Sequence, residues 1–176
     1  MYIDFLGAWG ETSHHEINYY WLKSNNLDWA GYEWGTLSLN ILNEMAKAAK
    51  MGMNSINYVS SKVGDTNMRE NLSTQYRGYG KLLDKVNTEF EKYGEIPDDE
   101  TVATKMMTWS GIQMNTINDK SNNNIAKIML QGNSMGVEKC QELLNQNPNT
   151  EQVVKDILNE FITFQTDNIE QMKKFL

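Results

Sequence analysis

Apolar residues recur at helical spacing through most of the chain. Leu42, Met45, Ala46, Ala49, Gly52, Met53, Ile56, Val59 and Val63 fall on one stripe, the a/d spacing of a packed bundle helix. This predicts a first helix over 36–63. Asp65-Thr66 supplies an N-cap for the next. Met68, Leu72, Gln75, Tyr76, Tyr79, Leu82, Leu83, Val86, Phe90 and Tyr93 predict a second helix over 66–93, with Gly94 and Ile96-Pro97 as its stop. A third helix, ending near Asn145, carries Ala126, Met129, Leu130, Asn133, Val137, Cys140 and Leu144 inward. The Asn147-Pro148-Asn149-Thr150-Glu151 break ends it and caps a fourth. That last helix shows Val154, Ile157, Leu158, Phe161, Phe164, Gln165, Asn168, Met172 and Phe175 on one face. Each of the four is expected to span roughly 28 residues, about 42 Å at the helical rise.

Two stretches repeat. Ala46–Ile56 and Leu130–Cys140 both carry Met-Gly at the same place, Met51-Gly52 and Met135-Gly136, with an apolar residue four positions on, Ile56 or Cys140. Each runs into a polar break and then another long helical segment, so the pattern is a helical hairpin used twice. Glycine lowers helix propensity, and its recurrence at Gly52 and Gly136 predicts a close approach of two helix backbones there. The expected organisation is a hairpin over 36–94, a crossover over 95–120 and a second hairpin over 121–176. Within the crossover, Asp98, Asp99 and Glu100 favour the start of a short helix through Val102, Met106, Trp109 and Gln113. The polar run from Asn118 to Asn124 is taken as a join between two helices rather than a kink in one.

Residues 1–35 differ from the rest. They hold nine aromatics (Tyr2, Phe5, Trp9, Tyr19, Tyr20, Trp21, Trp29, Tyr32, Trp34), and five acids against the single Lys23. Gly7, Gly10, Gly31 and Gly35 interrupt any long periodicity. The expectation is an irregular arm with one helical turn near Glu16–Lys23. Its rings either pack onto the bundle or, led by Trp9, Tyr20, Trp21, Trp29 and Trp34, dock a partner or a second copy, since exposed aromatics are costly unless covered.

At 176 residues the chain can bury a core as one domain. A net charge of -7 argues against nucleic acid, whose phosphates demand clustered Lys and Arg, and against an anionic membrane surface. No run of residues approaches the roughly 18 apolar positions of a membrane helix, and the N-terminus lacks the pattern of a signal peptide. A single Cys140 cannot form an internal disulfide, which fits a reducing cytoplasm.

Four long helices in two antiparallel pairs, joined by a long crossover, resemble the ferritin-like superfamily. Over residues 36–176 the chain is similar to small bacterial ferritin-like proteins with a Met-Gly pair midway along the first helix. The resemblance implies an all-α four-helix bundle. The active members hold two irons with a Glu from each of two helices and a Glu-x-x-His from each of the others. This chain cannot supply that set, because its histidines are His14 and His15, both in the arm. The expected inner mid-helix positions are Ala49, Met53, Gln75, Tyr79, Asn133, Val137, Phe161 and Gln165, none of them an acid. Glu44, Glu70, Asp84, Glu89, Glu138, Asp156 and Glu160 are assigned to solvated faces beside the seams. Cys140 is expected to be a small buried residue, and the methionines, most of them on helix seams, to fill the core or to line an adaptable groove for a partner helix or an apolar ligand.

Asn133, Gln165 and Asn168 lie on inward stripes and need hydrogen-bond partners in a dry core, with Tyr79 and Gln75 as the expected ones. They are expected to form a polar network that fixes helix register, or to line a small-ligand pocket. The functional expectation is a non-enzymatic structural or interaction protein of the cytoplasm, without cofactor or metal, binding a protein partner or its own copies. A binder of a small ligand in the bundle core is the alternative, and a di-metal carboxylate oxidase or metal store is a distant one.

Overall fold

The computed structural model describes the backbone of residues 29–93 and 119–176 and the side chains of 37–93 and 119–176. Among these residues the protein is all-helical, with four helices: α1 Trp29–Ser60, α2 Thr66–Lys92, α3 Asn122–Gln146 and α4 Gln152–Lys173. The arm before Trp29, with Trp9, Tyr20 and Trp21, and the short helix expected in the crossover lie outside the described residues. By its contacts the chain divides into a unit of Met1–Thr36 and a unit of Leu37–Leu176.

One boundary needs correction. The sequence pattern places residues 29–35 in an irregular arm on the strength of Gly31 and Gly35, yet α1 begins at Trp29 and runs through both glycines. An interior glycine costs only about 1 kcal/mol relative to alanine. Once a helix is nucleated by a long packed segment, adding further residues at its end is cheap.

The helix ends follow their residues. Asp65 is the N-cap of α2, and its side chain accepts from the Met68 N–H at 2.8 Å. Arg69 donates to the Val63 carbonyl at 2.8 Å and closes the turn between α1 and α2. Ser121 caps α3 by accepting from the Asn124 N–H. The Asp119 carboxylate in turn accepts from the Ser121 N–H and hydroxyl, so the polar run there holds a helix start. Glu151 occupies the N-cap position of α4 without a side-chain capping bond.

Contacts between helices give their directions. Ser38 of α1 meets Thr150 and Glu151 in the turn before α4, and Tyr93, just past α2, donates to Glu151 at 2.7 Å. That end of the bundle therefore gathers the Ser38 region of α1, the end of α2 and the α3–α4 turn. At the other end Asn123 of α3 donates to the Leu176 carbonyl at 2.7 Å. Hence α1 and α2 are antiparallel, α3 and α4 are antiparallel, and α2 and α3 run the same way.

The core is the apolar stripes seen in the sequence. Leu42, Ala49, Ile56, Val59, Leu72, Val86, Val154, Leu158 and Phe161 are fully buried, and each large aliphatic or aromatic side chain so placed contributes about 1.5–3 kcal/mol. Ile41 and Ile125 are buried as well, beside the expected stripes, while Met53 and Val137 are only half-buried. A straight helix turns about 20° per heptad away from a strict a/d seam, which brings such flanking residues in or out.

Candidate functional site

A layer of polar side chains crosses the middle of the bundle, and Tyr79 of α2 is its centre. The Tyr79 ring lies over Gly52 of α1, where a Cβ would stand 2.5 Å from ring atom Cζ. Its edge meets Phe164 of α4, with centroids 4.8 Å apart at 85°, a favourable aromatic geometry. The hydroxyl donates to Asn133 Oδ1 of α3 at 3.0 Å, and Asn133 Nδ2 donates to the Met129 carbonyl one turn back at 2.9 Å. Tyr79 therefore touches all three other helices. Burial, reinforced by the charge that a Cys140 thiolate would carry, holds its phenol well above the usual range.

All five residues of the expected polar network are buried: Gln75, Tyr79, Asn133, Gln165 and Asn168. Hydrogen bonds join Tyr79 to Asn133, and Gln75 Nε2 to Asn71 Oδ1 within α2 at 2.7 Å. Three buried polar atoms of the layer have no partner: Gln75 Oε1, Gln165 Nε2 and Asn168 Nδ2.

The repeated glycines both lie in this layer, but the nearest atoms facing them belong to side chains, not to a second backbone. Gly52 faces the Tyr79 ring, and a Cβ on Gly136 of α3 would overlap the Gln165 amide of α4. A third glycine, Gly78, faces the Phe164 ring in the same way. Small residues on one helix thus make room for large polar or aromatic ones on the next.

Cys140 is buried, as its place in the repeat implied. Burial pushes its thiol up to about 11, which removes the thiolate that nucleophilic chemistry requires. Among the described residues no three His, Cys, Asp or Glu side chains converge as metal ligands would. Glu44, Glu70, Asp84, Glu138, Asp156 and Glu160 are exposed or half-buried. Glu89 is the exception, and its assignment to a solvated face is corrected: it is buried, with Lys92 Nζ at 2.5 Å from its carboxylate. An acid can enter the seam when a lysine one turn on can reach back to it.

A second polar cluster, beyond those the sequence pattern predicts, lies at the Ser38 end. Ser38 and Thr150 are buried and lie 3.3 Å apart through their hydroxyls. Glu151 accepts from both Ser38 and Tyr93, so the carboxylate that leaves α4 uncapped ties α1, α2 and α4 together. Burial first, then the bond to Glu151, pushes the Tyr93 phenol up to about 12. The signal was available for Ser38, which stands four residues before Leu42 on the same stripe. Thr150 and Glu151 carried no comparable periodicity.

No protein-family model, curated protein or solved structure matches the chain.

Proposed function

We propose that the protein is a non-enzymatic, ferritin-like four-helix bundle without a metal site, serving as a cytoplasmic structural or interaction protein that binds a protein partner or its own copies. The observation that carries this reading is the Tyr79–Asn133 hydrogen bond at the bundle centre. It fills with neutral groups the place where di-metal members of that superfamily need carboxylates and histidines. The parallel run of α2 and α3 supports the ferritin-like layout, which a long crossover between the second and third helices produces. The duplicated hairpin has support too. Tyr79 stands as far from the start of α2 at Thr66 as Gln165 stands from the start of α4 at Gln152, and each covers the glycine of its own hairpin. The aromatic arm, with five acids and one lysine, is the candidate contact for a partner or a second copy. Among the described residues no helix is long and apolar enough to cross a membrane.

Two measurements on the full chain test this. Elemental analysis after expression in metal-supplemented medium should find no stoichiometric iron, manganese or zinc, and about two tightly held ions per chain would overturn the metal-free reading. Sedimentation velocity across a wide concentration range should show self-association, weakened by replacing Trp9, Tyr20 and Trp21 with serine. A strict monomer would remove the homo-oligomer, leaving a different protein as the partner.

A second reading, a binder of a small ligand in the bundle core, is favoured by one specific observation. The partnerless atoms of Gln75, Gln165 and Asn168 lie in a layer from which bulk water is excluded, and such atoms ordinarily find a partner.

A further inference from the structure

We infer that Gln75, Gln165 and Asn168 frame an internal site for one small uncharged molecule that accepts two hydrogen bonds and donates one. This rests only on that part of the second reading by which the core holds an uncharged guest, water included, whereas the small-ligand reading needs a guest larger than water.

Helix register sets the three residues within about one turn of each other along the bundle. Phe164 of α4 lies against Gly78 and Tyr79 of α2, and farther along, Lys85 meets Glu160 at 2.6 Å, so the two helices run antiparallel at a fixed level. One turn from Tyr79 toward the start of α2 is Gln75. One turn from Phe164 toward the end of α4 is Asn168. Both steps go the same way along the bundle, so Gln75 and Asn168 occupy one level. Gln165 precedes Asn168 by three residues, the spacing that places neighbours on a single helix face.

The unused atoms complement one kind of guest. Gln75, Gln165 and Asn168 are 2 %, 3 % and 6 % exposed, so bulk water does not reach them. Gln75 has committed its Nε2 to Asn71 and offers Oε1, an acceptor. Gln165 Nε2 and Asn168 Nδ2 are donors without acceptors. A buried unpaired polar atom is destabilising, and a molecule bridging all three removes that cost at once. An anion would suit the two amide donors but would be repelled by the Gln75 carbonyl. A cation would suit the carbonyl but would face both donors. A neutral molecule with an oxygen that accepts twice and a hydrogen to give fits all three. Water and small amides or alcohols share this chemistry, and buried waters typically make about three such bonds.

A crystal structure of the full chain that resolves ordered waters, together with its native mass, decides the matter. Density within hydrogen-bond distance of all three atoms is expected. A single-oxygen peak with the mass of the bare chain upholds the site with water as guest and overturns the small-ligand reading. Larger density with a matching mass excess upholds both. Direct bonds among the three side chains with nothing between them, or a halide or metal ion at the site, overturn the proposal. Density for a molecule elsewhere in the core overturns the proposal while leaving the small-ligand reading intact. A second measurement uses Asn168→Leu alone, because Gln75 also bonds Asn71. If a guest satisfies the Asn168 amide, removing it discards favourable bonds and lowers Tm by about 3 °C or more. An unchanged or higher Tm shows that the amide was unsatisfied, and overturns the proposal.

Discussion

The ring of Tyr79 occupies the space that a side chain at position 52 would need, with a Cβ there standing 2.5–2.8 Å from three of its atoms. The same ring cannot move aside freely, because its hydroxyl bonds Asn133 and its edge meets Phe164. A small residue on α1 and a hydrogen bond to α3 are therefore one device, and the glycine is required by a side chain on the neighbouring helix.

Gly52→Ala should destabilise the protein by about 1–3 kcal/mol, the usual cost of overpacking. Gly80→Ala is the control, since a Cβ there meets nothing within 4 Å, and it should stabilise by up to about 1 kcal/mol. Gly136→Ala should fall between them, because the obstructing group is the flexible end of Gln165. Urea unfolding of the three variants ranks them. A Gly52→Ala protein at least as stable as Gly80→Ala would sink the account.

Tyr79→Phe keeps the ring over Gly52 and removes only the hydroxyl, leaving Asn133 Oδ1 buried without a donor. The expected loss is about 1–3 kcal/mol. Adding Asn133→Leu removes the orphaned acceptor, so the double variant should lose less than the two single losses combined. Strict additivity in thermal unfolding would mean that the bond does not couple α2 to α3.

How much of this was legible in the sequence depended on whether a residue belonged to a periodic stripe. Gln75, Asn133, Gln165 and Asn168 were visible because each is a polar residue at an apolar position, and all four are buried. That Tyr79 or Gln75 would serve Asn133, Gln165 or Asn168 as a partner was legible too, and Tyr79 does bond Asn133. Which partner meets which depends on the relative level of the helices, which no local pattern encodes. Gly52 and Gly136 were conspicuous as a repeat, yet the sequence could not say that side chains would fill the space they leave. Trp29 and Glu89 failed for opposite reasons. Two glycines suggested a break that a long helix tolerates, and a carboxylate suggested solvent where Lys92 supplies a counter-charge.

Cys140 should react slowly with thiol reagents in the native protein. Its thiol, raised to about 11 from an ordinary 9.0, is thiolate roughly 100-fold less often at pH 8 than an exposed one. Burial adds a second barrier, so the reaction should wait on opening of the bundle and accelerate in urea along with unfolding. Rapid stoichiometric labelling of the folded protein, followed by absorbance, would show that the α3 seam opens far more readily than its packing implies.

Alkaline pH should loosen the Ser38 end of the bundle, and the sign follows from Tyr93. Its phenol is raised from 10.0 to about 12, first by burial and then by donation to Glu151. The folded state thus favours the neutral form, so the stability that this group contributes is complete below pH 10 and is lost as pH rises from about 10 to 12. Above that window a phenolate would face the Glu151 carboxylate at hydrogen-bond distance, with Ser38 the remaining donor to that carboxylate. Tyr93→Phe removes both the bond and its titration. At pH 8 the variant should be less stable, by about 1 kcal/mol for the lost hydrogen bond. By pH 11 the gap should have narrowed, because the parent protein has begun to lose what the variant never had. The rest of the molecule is the same in both proteins, so its own pH dependence cancels in the difference. Urea midpoints of the two proteins at pH 8, 9, 10 and 11 give the comparison. A gap that stays constant across the series would mean that Tyr93 titrates alike in the folded and unfolded chains, and that the Ser38–Glu151–Tyr93 contact does not hold the end of the bundle.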